Sequence, residues 1–153
     1  MLYRHKNQIE TGVVLFLLLF FVFQFPPMIS TGKHMICDIE GIRNTELLNS
    51  MSGIRQIVDA ICKEHVFSVL GVLEHQFEPQ GCSLVYLLSE SHISIHTFPE
   101  KNYIAMDIYT CRDYTDNRVY EELYAYLVDT FQARPTVPLI LNRGIELEKI
   151  PYK

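Results

Sequence analysis

Two strand-like runs, residues 83–89 and 92–98, follow one another with only Glu90-Ser91 between them. With almost nothing separating the runs, Glu90-Ser91 is read as a tight connection between two strands. The rest of the chain has to be arranged around that pair. Upstream, residues 34–39 suit a strand. Residues 45–64 carry Leu47, Leu48, Met51, Ile54, Ile57, Val58 and Ile61 at spacings of three and four, one helical stripe that Asn44 or Thr45 can cap. Residues 67–73 read as a further strand, and Glu78-Pro79-Gln80-Gly81 as a turn.

Downstream, residues 103–111 alternate Ala105, Asp107 and Tyr109 against Ile104, Met106 and Ile108, the period of a strand. Asp116 is placed to cap a helix with the stripe Val119, Leu123, Leu127 and Phe131, and residues 137–141 read as a last strand. The order β-α-β-β-β-β-α-β predicts an α+β fold: a two-layer sandwich whose antiparallel sheet carries two helices on one face.

At 153 residues the chain fits one domain, and 48% hydrophobic with 20% charged residues is a globular composition, not a disordered one. A net charge of −5 gives nucleic-acid binding no electrostatic support. Cys37, Cys62, Cys82 and Cys111 are scattered through apolar sequence, as reduced thiols in a cytoplasmic protein are. His34-x-x-Cys37 and Cys62-x-x-His65 have ligand-like spacing, but positions 34 and 37 of a strand face opposite ways, so no metal site is expected.

Residues 13–23 are unbroken apolar, preceded by Arg4-His5-Lys6 and followed by Pro26-Pro27, which marks a boundary. The run is shorter than a spanning helix prefers, and no small-x-small cleavage site follows it. Residues 1–27 are therefore read as a hydrophobic extension, open between a membrane anchor, a non-native start ahead of Met28 and a cleaved signal. The functional domain is read as residues 28–153. A membrane enters only if the extension is a genuine anchor.

The segment Leu88-Ser89-Glu90-Ser91-His92-Ile93-Ser94-Ile95-His96-Thr97-Phe98-Pro99-Glu100, followed by Asp107-Ile108-Tyr109-Thr110-Cys111, closely resembles the prokaryotic-type S-adenosylmethionine decarboxylases, which are pyruvoyl-dependent proenzymes. The likeness extends over roughly residues 28–144 and includes Gly32-Lys33-His34. It implies self-cleavage between Glu90 and Ser91, with Ser91 converted into a covalently bound pyruvoyl group. The ketone of that group takes up the electrons released when an α-amino acid loses CO2, as pyridoxal phosphate does elsewhere.

The resemblance implies His96 as the processing base, Ser83 as an assistant by hydrogen bonding, and Cys111 as the proton donor. A thiol titrates close enough to neutrality to give and retake a proton. Phe77 and Phe98 match aromatic positions near the family's ligand, and Glu100 a carboxylate for the ribose hydroxyls. Phe98 stands where many members have tryptophan, and Arg112 where glycine is common. Taken singly, Ser91 is a turn residue, His96 a strand histidine and Cys111 a buried thiol; their order and spacing together carry the reading.

The implied function is decarboxylation of S-adenosylmethionine to the aminopropyl donor for spermidine synthesis, by a homodimer of processed protomers. Ornithine or arginine as substrate is an alternative, and a non-catalytic dimerising paralogue another. A Ser/His/Asp hydrolase of Ser91, His96 and Asp107 is disfavoured, because no Gly-x-Ser-x-Gly elbow is present and no oxyanion hole is evident at Glu90. On one continuous strand Ser91 and His96 would face opposite ways, so a break near Glu90-Ser91 is required.

Overall fold

The computed structural model describes residues 28–146. Six strands, β1 (Met28–Glu40), β2 (Val69–Gln76), β3 (Cys82–Leu88), β4 (Ser91–Phe98), β5 (Tyr103–Thr110) and β6 (Leu139–Glu146), form one sheet in the order β2-β3-β4-β5-β1-β6. The pairs β2–β3, β3–β4, β4–β5 and β1–β5 are all antiparallel. Helices α1 (Thr45–Leu48), α2 (Met51–Glu64) and α3 (Arg118–Thr130) complete the described chain, with a 3-10 turn at Pro99–Lys101. The expected α+β sandwich with an antiparallel sheet is the observed one.

The helical stripe at residues 45–64 is interrupted. Asn49 and Ser50 separate a one-turn α1 from α2, and the Ser50 hydroxyl accepts the Gly53 N–H at 3.1 Å, so Ser50 caps the long helix and not Asn44 or Thr45. Serine competes with the helical backbone and favours a cap over a helix interior. At α3 the N-cap position is Asn117, while the Asp116 carboxylate accepts the Arg118 N–H at 3.0 Å.

The core lies between one sheet face and the helices. Met35, Cys37 and Ile39 of β1, Leu84 and Tyr86 of β3, Ile93 and Ile95 of β4, and Ile104, Met106 and Ile108 of β5 are buried against Ile54, Val58 and Ile61 of α2 and Leu123 and Leu127 of α3. Each strand's alternate residues supply this layer, as period-two alternation requires. Two polar side chains enter it with partners. Thr97 Oγ1 accepts the Cys82 N–H at 2.8 Å and donates to the Leu48 carbonyl at 2.7 Å. Thr110 pairs with the Tyr120 hydroxyl at 2.8 Å, and that hydroxyl also meets the Lys33 carbonyl at 3.2 Å. The last residue of β5 is thereby tied to α3.

The other sheet face carries no described helix. Its edge next to β2 is apolar, with Leu73 77%, Val85 40% and Leu87 56% exposed. Across its middle runs a polar line. Ser94 donates to Asp107 at 3.1 Å, and His34 Nε2 lies 3.3 Å from Asp107, too poorly aligned for a hydrogen bond. Arg143 reaches His34 Nδ1 at 3.1 Å and stacks over Tyr109.

Candidate active site

Ser89 and Glu90 make the two-residue turn between β3 and β4, and Ser91 is the first residue of β4, opposite both Leu88 and Thr110. The tight connection thus sits one residue earlier than the sequence suggests. Ser91 has φ +148°, a region that side chains other than glycine rarely adopt. The backbone irregularity at the expected break is this torsion, while strand pairing continues in register through Ser91. The torsion lies within Ser91 itself, next to the peptide bond ahead of it, and strand pairing on both sides holds it there.

Three further contacts define the Glu90 end. The Glu90 carbonyl, the one a Ser91 hydroxyl would attack, accepts the Cys111 backbone N–H at 2.8 Å. That N–H is a donor where an oxyanion would develop, a feature the sequence pattern at Glu90 does not reveal. The Glu90 carboxylate pairs with Arg112 at 2.7 Å and accepts the Ser68 N–H at 3.1 Å. The Arg112 hydrogen bond and the Ser68 N–H hold its pKa down to about 2, against the opposing effect of desolvation.

Cys111 follows β5 directly and is the one exposed thiol of the four. Burial pushes Cys37 up to about 12 and Cys62 up to about 11, and raises Cys82 as well, so those three hold their protons at neutral pH. Cys111, the candidate proton donor, is thus the one thiol of the four open to solvent. The close approach behind it depends on Gly32, at φ +136°, where a Cβ would come 2.1 Å from the Thr110 oxygen and 2.8 Å from the Cys111 Cα.

His96 is elsewhere. Its Nδ1 and the Ser83 hydroxyl are 2.6 Å apart on directly opposed residues of β4 and β3, on the sheet face away from the helices. Five residues of extended strand separate His96 from Ser91, about 16 Å along β4. A base must come within about 3 Å of the proton it takes, so these two residues of one chain do not meet. Strand pairing runs in unbroken register from Ser91 to Phe98, so nothing along β4 shortens this distance. Asp107 contacts Ser94 and His34, so no triad with Ser91 and His96 is assembled.

The three candidate ligand residues lie at the His96 end. Phe98 is two residues beyond His96 on the same face, packed against Tyr103 at 5.4 Å with Lys101 over its ring. Glu100 is exposed in the 3-10 turn, and Phe77, 46% exposed, follows β2 with His75 edge-on at 4.6 Å. The candidate residues therefore form two groups at opposite ends of β4: Glu90, Ser91 and Cys111 at one, Ser83, His96, Phe77, Phe98 and Glu100 at the other. His34 and Cys37 fall on opposite sides of β1, Cys37 in the core and His34 on the polar line, and no His/Cys/Asp/Glu cluster fit for a metal occurs among the described residues.

The Glu90–Ser91 junction thus combines a strained serine, a preceding carbonyl held by an amide and an exposed thiol on the neighbouring strand end, on an open α+β sheet. Residues 33–144 match the family model described as S-adenosylmethionine decarboxylase. The chain is 40% identical over 130 residues to S-adenosylmethionine decarboxylase proenzyme 2 of Halalkalibacterium halodurans, covering 82% of this chain and 98% of that one. A proenzyme of the same name from Brevibacillus brevis is 35% identical over 114 residues, 74% of this chain and 83% of the relative. The crystal structure of the adenosylmethionine decarboxylase from Aquifex aeolicus superposes with a TM-score of 0.67 at 28% identity, covering 80% of this chain and 98% of that one. The chain belongs to the S-adenosylmethionine decarboxylase family.

Proposed function

We propose that the family's reaction is carried here by Ser91 as pyruvoyl precursor, Cys111 as proton donor, and Ser83 and His96 as the processing pair, in a site shared by two copies of the chain. The chain is an adenosylmethionine decarboxylase made as a proenzyme. The observation that carries the shared site is the division along β4. His96, with its Ser83 partner, is about 16 Å from the serine of its own chain, and the ligand-binding candidates stand with His96. A second copy packed in the opposite sense on the sheet face that carries no described helix brings each His96 end to the other copy's Ser91 end. Exposed Leu73, Val85 and Leu87 on that face support such packing.

In processing, the Ser91 hydroxyl adds to the Glu90 carbonyl, whose growing negative charge the Cys111 N–H stabilises. The C–N bond breaks, the nitrogen takes a proton, and an ester joins Glu90 to the Ser91 oxygen. Removal of the residue-91 α-proton by the second copy's histidine expels the Glu90 carboxylate, and water then releases ammonia to leave a ketone at position 91. The residues fit that group, because its precursor Ser91 is only part-buried and directly follows the carbonyl held by the Cys111 amide. The pyruvoyl ketone supplies the electron sink for decarboxylation. Cys111, exposed at the end of β5, returns a proton to the substrate carbon. Phe77 and Phe98 offer rings to the adenine or sulfonium, and Glu100 accepts from the ribose hydroxyls. The relatives favour neither ornithine nor arginine nor a non-catalytic partner.

The test is complementation. Ser91→Ala and His96→Ala chains, each uncleaved alone, are co-expressed. In a shared site the His96→Ala chain, which keeps its serine, is cleaved by the histidine of the other chain. Failure of cleavage in mixed dimers, or full activity in a monomer, overturns the shared site.

Residues 28–153 are read as the processed domain of a cytoplasmic protein, which meets a membrane only if residues 1–27 are a genuine anchor. The apolar run of the extension lies outside the described residues; among those described, no helix is long and apolar enough to cross a membrane. A chain beginning at Met28 is expected to be soluble, to cleave and to decarboxylate. An inactive or insoluble Met28 chain would move the boundary, and membrane fractionation of the full chain tests the anchor.

A further inference from the structure

Arg112 is placed unlike a residue that merely follows the proton donor. Its guanidinium donates to the His65 carbonyl at 2.8 Å, to the Val66 carbonyl and to the Glu90 carboxylate at 2.7 Å, and its carbon stands 5.0 Å over the Phe67 ring. The two carbonyls belong to the end of α2, where His65 is the C-cap and Val66 has φ +54°, so a cation there also meets the negative end of the helix. The other Glu90 oxygen accepts the Ser68 N–H, and the Ser89 N–H donates to the Ser68 carbonyl at 2.9 Å. One side chain thus ties the turn before Ser91 to the α2–β2 connection, while the adjacent residue's amide holds the Glu90 carbonyl.

We infer that Arg112 is a positioning residue for self-cleavage. By gripping the Glu90 side chain it keeps the Glu90 carbonyl on the Cys111 amide and the Ser91 backbone in its strained conformation. The inference rests on the reading of Glu90–Ser91 as the bond that breaks. In that step the Ser91 oxygen bonds to the Glu90 carbon as the C–N bond opens, and the hydroxyl proton ends on the nitrogen. Arg112 gives and takes no atom. Its effect is to stop the carbonyl from swinging off the donor, because the turn has only two residues and its side-chain anchor is Glu90. A second consequence follows cleavage. Glu90 then ends its chain with two carboxylates, and the guanidinium beside them keeps that end docked near Cys111.

The experiment follows first-order cleavage of the full chain by intact mass from pH 4 to 8. The chains compared are wild type, Arg112→Ala, Arg112→Lys, Glu90→Ala and the Arg112→Ala/Glu90→Ala double variant. Losing a charge-assisted contact to the reacting peptide is expected to slow Arg112→Ala roughly ten- to hundredfold. Arg112→Lys, which keeps the charge without the planar fork, should fall between. In the Glu90→Ala background, Arg112→Ala should cost less than about twofold, because its handle is already gone.

The ratio of Arg112→Ala to wild-type rates should be flat above pH 6 and fall below it, as an unpaired Glu90 regains protons. His65, whose pKa burial and Arg112 lower, also faces this guanidinium from the end of α2; Tyr114 acts on the guanidinium, and Glu64 and Glu122 act on His65. A fall that persists in the double variant is therefore His65's and counts against the inference. Wild-type cleavage at Glu90–Ser91 with an unchanged Arg112→Ala rate and pH ratio overturns it, as does an equal slowing with and without Glu90. An uncleaved wild type overturns the reading of the bond instead. Should Arg112→Ala not fold, a wild-type rate for Arg112→Lys, or for Glu90→Ala, overturns the inference equally.

Discussion

The Cys111 backbone N–H donates a 2.8 Å hydrogen bond to the Glu90 carbonyl, so the residue that supplies the exposed thiol also holds the carbonyl ahead of Ser91. One residue thus presents two separate groups, a backbone amide and a thiol, at the end of β5. In the proposed reaction the amide serves cleavage and the thiol serves decarboxylation, and only the thiol can be removed by ordinary substitution.

That division predicts distinct phenotypes. Ser91→Ala stays a single chain. Cys111→Ala retains the amide and still yields the C-terminal fragment 91–153 with a blocked N-terminus, but its CO2 release falls by about a hundredfold or more, the scale of losing a general acid. Gel analysis, ketone trapping with hydroxylamine and a CO2 assay separate the two. Equal loss of cleavage in both variants would remove the thiol from its assigned role.

Gly32→Ala should injure the site from behind. The new Cβ has the Thr110 oxygen at 2.1 Å and φ +136° to contend with, so β1 and the end of β5 must part. A loss of about 1–3 kcal/mol in stability is expected from the strained backbone, together with slower cleavage. Urea melts and a cleavage time course measure both, and a variant of unchanged stability would contradict the close approach.

Tyr120→Phe removes the hydroxyl that satisfies buried Thr110 and meets the Lys33 carbonyl. Leaving Thr110 without a partner should cost about 1–3 kcal/mol. Tyr120→Phe combined with Thr110→Val should recover part of the loss, since both polar groups are then gone. A double variant weaker than the single one would argue against the pairing.

Acid should weaken the Glu90 tether in a defined window. Glu90 is depressed from 4.5 to about 2 in the folded chain, so its contribution is present above 4.5 and is lost as the pH falls from 4.5 towards 2. In a Ser91→Ala background, where the chain stays whole, the urea midpoint gap between Glu90 and Glu90→Gln should be widest near pH 6. It should close by pH 2. A gap that grows on acidification would reverse the sign of the coupling.

Local pattern was enough for much of this protein. The near-contact of two strand-like runs at Glu90-Ser91 determined a tight connection, and period-two and three-to-four spacings marked six strands and the helical stripes, because alternation and helical pitch are properties of neighbouring residues. The order of Ser91, His96 and Cys111 identified the family for the same reason. The break between α1 and α2 escaped the pattern, since the apolar stripe continues across Asn49 and Ser50 while the backbone does not. Only the tertiary structure decided that His96 and Ser91 of one chain stay apart, that the Cys111 amide reaches Glu90, and that Arg112 grips the turn from the end of α2. Spacing along a chain states how far apart residues can be, but hydrogen-bond partners more than twenty residues away are chosen by the packing of β5 and α2 around one hairpin.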